Sequence, residues 1–163
     1  MPVSKVERSF SRPLMTIVIS GIVAGTVDIG AACLISGRTV TYILQTIAGG
    51  LLAKRAFEGG SYAAALGLAL QWLMGVIIAA IYVFALRRLA SLRRHWIMFG
   101  VLYGAAIFVV MNYVVVPLSA WGVVPNFSVK SFIENMAAML LFGLLVSFLA
   151  TRSGRASGAG TRV

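Results

Sequence analysis

Four long apolar stretches alternate with short segments that hold nearly all of the chain's charge. Leu14 to Ile35, Tyr62 to Leu86, Ile97 to Leu118 and Phe132 to Ala150 are 22, 25, 22 and 19 residues long. A helix rises about 1.5 Å per residue, so each stretch matches the ~30 Å hydrocarbon layer of a bilayer. No water is present at that depth to pair with backbone N–H and C=O groups, whereas a helix pairs them within the segment. The pattern predicts an all-α integral membrane protein with transmembrane helices at 14–35, 62–86, 97–118 and 132–150. Together they make one membrane domain over residues 14–150.

Residues 39–57 have a different period. Val40, Ile43, Leu44, Ile47, Ala48, Leu51 and Leu52 recur at the i, i+3, i+4, i+7 spacing of one helical face, with Thr41, Gln45, Lys54 and Arg55 off it. This predicts an amphipathic interfacial helix that lies in the outer interface or docks on the spans, its apolar side towards lipid. Gly49-Gly50 offers a kink or a shallow re-entrant bend, and Gly59-Gly60 closes the segment. Between the third and fourth spans, Trp121 reads as an interfacial aromatic and Pro125 as a breaker, while Trp96 marks the opposite entrance of the third span. Pro117 stands near the end of the third span, where loss of one backbone donor costs little. Residues 1–13 form a basic tail. Residues 151–163 are rich in Gly, Ser and Arg without apolar periodicity, and are expected to be disordered.

Composition agrees with a membrane chain. Of 163 residues 60% are hydrophobic and 11% charged, against roughly 25% charged in a soluble domain. The net charge of +10 raises the question of nucleic acid, but the cations sit in loops and tails rather than along one face. Lys5, Arg8, Arg12, Arg87, Arg88, Arg93, Arg94, Arg152, Arg155 and Arg162 fall on one side of a four-span chain, and Arg38, Lys54, Arg55 and Lys130 on the other. Ten against four predicts that both termini are cytoplasmic. Arg87, Arg88, Arg93 and Arg94 then anchor a cytoplasmic loop at anionic lipid headgroups. No nucleic-acid partner is expected.

Catalytic chemistry is scarce. Cys33 is the single cysteine and His95 the single histidine, which precludes an internal disulfide or a His/Cys metal cluster. Gly30-Ala31-Ala32-Cys33 has the small residues of a lipoprotein processing site, yet Gly30 stands where a large aliphatic belongs and Asp28 interrupts the apolar run. With no nucleotide loop, catalytic triad or Cys/His pair, no enzyme activity, metal or cofactor is expected.

One polar constellation stands out. Gly21-x-x-x-Gly25 and Gly100-x-x-x-Gly104 allow close approach of helix backbones, and Asp28 shares the Gly21–Gly25 face. Counting at ~1.5 Å per residue puts Asp28 about 11 Å, Gln71 about 13 Å and Asn112 about 9 Å from the outer end of their spans, with Glu134 and Asn135 at roughly 3–5 Å. A charged side chain within a span costs at least ~2.5 kcal/mol and tends to face protein or water. One reading is an outward-facing polar cavity in which Asp28 binds a proton or cation, Gln71 and Asn112 line it, and Lys54 or Arg55 roofs it. The plainer reading is a set of interhelical hydrogen bonds, with Asp28 paired to one of those cations. Ser131-Phe132-Ile133-Glu134 also fits a capping box at the start of the fourth span.

Around Ser20-Gly21-Ile22-Val23-Ala24-Gly25-Thr26-Val27-Asp28, Tyr103-Gly104-Ala105-Ala106 and Met111-Asn112-Tyr113-Val114-Val115-Val116-Pro117-Leu118, the chain resembles the small four-span inner-membrane proteins of bacteria that include the YagU-like proteins. The resemblance implies a bacterial inner membrane and four spans, and brings no activity to particular residues. The small-residue faces and scarce chemistry lead to one expectation: a non-enzymatic membrane protein that associates with its own kind or with a larger membrane complex. The alternative is a small proton- or cation-coupled transporter or channel that uses Asp28.

Overall fold

A computed structural model describes residues 4–156, with side chains over 13–152 apart from residue 90. The elements are helices α1 (Ser4–Ser36), α2 (Val40–Leu52), α3 (Gly60–Arg88), α4 (Ala90–Arg94), α5 (Trp96–Val110), α6 (Val116–Leu118) and α7 (Val129–Ala156). A 3-10 turn at Ala53–Phe57 follows α2, and a π turn at Met111–Val115 joins α5 to α6. Four helical segments are long and apolar enough to cross a membrane: Pro13–Ser36, Gly60–Arg88, Trp96–Leu118 and Val129–Arg152. Their limits lie within three residues of those expected. No strand occurs among the described residues.

α7 does not stop at Ala150. It runs to Ala156, and Thr151 is buried with its hydroxyl donating to the Ser147 carbonyl at 2.8 Å. The disorder expected from 151 therefore does not hold for 151–156, and residues 157–163 lie outside the described ones, as do 1–3. α7 also begins earlier than the expected capping box. Ser128 Oγ accepts the Ser131 N–H at 3.2 Å, so Ser128 caps the helix and Ser131–Glu134 lies inside it.

Glycine sets how closely the spans approach. α1 packs on α3 and α7, and α7 on α5. A Cβ on Gly21 would strike the backbone of Gly75 and Val76, and one on Gly75 would strike the Gly21 carbonyl. A Cβ on Gly104 would likewise meet the Met139–Leu140 backbone, and one on Gly143 the backbone of Gly100 and Gly104. Both G-x-x-x-G faces are thus filled from within the chain. α3 carries a buried stripe at every fourth position: Ala63, Gly67, Gln71, Gly75 and Ala79.

α3 and α5 have little direct backbone contact. They meet through side chains, where Tyr103 donates to the Ile78 carbonyl at 2.7 Å and its ring centroid lies 5.1 Å from that of Tyr82. Ser147 Oγ donates to the Trp96 carbonyl at 2.7 Å and lies 2.6 Å from Tyr82 Oη. A hydroxyl has one proton, so Tyr82 is the donor in that second bond. With Phe142, Val146, Ile107 and Leu92, these groups fill the half of the bundle nearest Arg88–Trp96, termed here the arginine end. α4 lays Leu92 into that core and leaves Arg93 and Arg94 exposed.

At the opposite end α2 folds against the first turns of α3. Thr39 caps it by accepting the Tyr42 N–H at 3.3 Å. The helix continues through Gly49-Gly50 and ends at Leu52, before Ala53 at φ 51°. Its apolar stripe divides, with Val40, Leu51 and Leu52 exposed. Leu44 and Ala48 are buried, Leu44 over Gly67 and Ala48 in a cluster with Ala56 and Ala63, while Ile43, Ile47 and Leu51 line a cavity.

Candidate functional site

The stripe on α3 positions the first polar contact. Because Gly75 meets Gly21, Gln71 one turn away comes opposite Gly25 in an antiparallel pair. Gln71 is 7% exposed, and its Nε2 donates to Asp28 Oδ2 at 2.8 Å and approaches the Gly25 carbonyl at 3.5 Å. Trp72 Nε1 donates to Thr26 Oγ1 at 3.2 Å on the outer side of the same contact. Asp28 and Gln71, expected in one layer, are therefore directly bonded across α1 and α3.

Asp28 stands in the wall of a cavity of about 1080 Å³ bounded by α1, α2, α3, the π turn, α6 and the connection that follows it. Ile29 and Ala32 of α1, Leu70 and Met74 of α3, Ile43 and Ile47 of α2, and Met111, Val114 and Val115 of the π turn supply apolar walls. Asp28 is the one charged side chain among the lining residues. Among the described residues the one ion pair joins Lys130 and Glu134 at 3.8 Å, so Asp28 faces a neutral amide.

The roof differs from the one expected. Lys54 and Arg55 are exposed on the 3-10 turn, do not line the cavity and make no ion pair with Asp28. Ser119, Ala120 and Trp121 cover it instead. The Ala120 N–H donates to the Gly50 carbonyl at 2.8 Å, and Trp121 Nε1 donates to the Thr46 carbonyl at 3.2 Å. The Trp121 ring lies where a Cβ on Gly49 would be, so Gly49 is the seat of the ring. Trp121 is therefore a clasp between the α6–α7 connection and α2, a role beyond that of an interfacial aromatic.

Other expected members of the layer do not join. Asn112 Nδ2 donates to the Phe108 carbonyl of its own helix at 2.9 Å, and the residue does not line the cavity. Glu134 pairs with Lys130 one turn away, and Asn135 donates to the Ser131 carbonyl at 2.8 Å. Arg87, Arg88, Arg93 and Arg94 are exposed at the arginine end, away from the cavity. No group of three or more His, Cys, Asp or Glu side chains suited to a metal occurs among the described residues.

Pro117 explains the π turn in the far wall. It has no N–H to offer the Tyr113 carbonyl, and its ring would strike that carbonyl in a regular helix. The chain widens instead, and the Val116 N–H bonds five residues back to Met111. Such widened turns recur at functional sites. Here it directs Met111, Val114 and Val115 to the cavity.

Sequence reasoning missed Gly75, Gly143 and the Gly49–Trp121 seat. The four-residue spacing of Ala63, Gly67, Gln71, Gly75 and Ala79 was a usable signal for the α3 face, whereas no local pattern announces that Trp121 docks 72 positions back on Gly49. No family model, no curated protein and no solved structure matches the chain.

Proposed function

We propose that the protein is a small cation- or proton-coupled transport protein of a bacterial inner membrane, with Asp28 as the ligand-binding group. The observation that carries this reading is a carboxylate in a cavity wall whose one described polar partner is the neutral Gln71 amide. An intramembrane carboxylate costs at least ~2.5 kcal/mol. An asparagine would accept the same hydrogen bond from Gln71 without that cost, so hydrogen bonding alone gives no reason for the charge. A cation or proton arriving in the cavity supplies one.

In this reading the arginine end and both termini face the cytoplasm and the cavity faces outside, because ten of the 14 cations fall in the sequence segments that a four-span chain assigns to one side. Association through Gly21–Gly25 and Gly100–Gly104 is not favoured, because Gly75 and Gly143 already occupy those faces. The reading is tested by comparing Asp28→Asn with the parent protein in proteoliposomes carrying a pH-sensitive dye. The variant should fold and lose at least tenfold of ligand-coupled proton or cation flux. Equal flux in a folded variant refutes the role of Asp28.

A further inference from the structure

We infer that the cavity takes a monovalent organic cation with an apolar body, an inference that rests on the proposed role of Asp28. Size is the first argument. A volume of about 1080 Å³ is at the top of the range of drug-sized ligand sites, roughly 300–1,000 Å³, and far beyond the need of a proton or a bare metal ion.

The lining is the second. A hard metal ion takes about six to eight oxygen ligands. Here one carboxylate is present, and its neighbour Gln71 turns an N–H towards it rather than an oxygen. An ion that kept its water shell would press that shell against Ile43, Met74, Met111 and Val114. An organic cation with an apolar body places hydrocarbon on those walls instead, and the two methionines adapt to its outline.

The third is charge and its placement. One carboxylate balances one positive charge, and an anionic body such as a lipid phosphate would be repelled by it. Trp121 is among the lining residues, and an indole is the strongest of the cation–π partners.

The test is equilibrium binding of two probes of nearly equal shape and opposite charge, tetraphenylphosphonium and tetraphenylborate, to the full chain in zwitterionic nanodiscs. The phosphonium should bind at least tenfold more tightly than the borate. Asp28→Asn, which keeps the Gln71 bond, should abolish that difference, and Asp28→Glu should restore it. Equal affinities, a preference for the borate, or an Asp28→Asn variant that keeps the preference overturns the inference. If those results occur while Asp28→Asn still abolishes coupled flux, the ligand class alone is wrong. If flux is unaffected as well, the role of Asp28 falls with it.

Discussion

At the scale of single residues, the Asp28–Gln71 pair was accessible from depth counting, because α1 and α3 run antiparallel and both residues lie about 11–13 Å in. Depth alone does not say which way a side chain points, and Asn112 shows why. It continues the four-residue series Gly100, Gly104, Phe108, whose glycines pack on α7, and it does not line the cavity. The same spacing rule that placed Asp28 on the glycine face of α1 would have removed Asn112 from the site. Asp28→Asn should leave thermal stability in detergent unchanged or higher, since the bond to Gln71 persists without the burden of charge. Gly75→Leu should do the reverse. Its side chain would enter the Gly21 backbone, and overpacking of this kind costs about 1–3 kcal/mol or more. A Gly75→Leu melting temperature equal to the parent's would show that α1 and α3 are further apart than described.

Among the elements, α2 and the α6–α7 connection act as one cover. Their contact is small and specific: the Ala120 N–H on Gly50, the Trp121 indole on Thr46, and the ring on Gly49. The helix over residues 40–52 was legible from its 3.6-residue period. Its environment was not, because an apolar stripe looks the same whether it meets lipid, a neighbouring helix or a cavity. Gly49→Leu should expel the Trp121 ring while leaving the four spans intact. In a background with Trp72→Phe and Trp96→Phe, Trp121 emission should then shift to the red and become more accessible to a water-soluble quencher, with helical circular dichroism unchanged. An unaltered spectrum would mean that the ring does not rest on Gly49.

Over the whole molecule, the two halves of the bundle differ in filling. The arginine end is closed by Tyr82, Ser147, Tyr103 and Phe142, whereas the other half divides around the cavity. The four spans could be read from the sequence because hydrocarbon thickness imposes both their length and their composition. Their order as neighbours, α3, α1, α7, α5, could not, because lipid-facing and helix-facing positions are equally apolar. The cation distribution predicts that a cytosol-active reporter works at either terminus, while a periplasm-active enzyme works when inserted after Asn126 in the α6–α7 connection. A cytosol-dependent signal from position 126, with stable expression, would reverse the assignment of cavity to the outer face.

The widened turn ahead of Pro117 holds one more residue than a regular coil of the same pitch, and that surplus is a store of slack. A surplus of this kind can migrate along a helix one peptide at a time, exchanging one hydrogen-bonded register for the next rather than breaking the rod. With Gly100 and Gly104 packed on α7, a shift of this kind is confined to the stretch between them and Trp121.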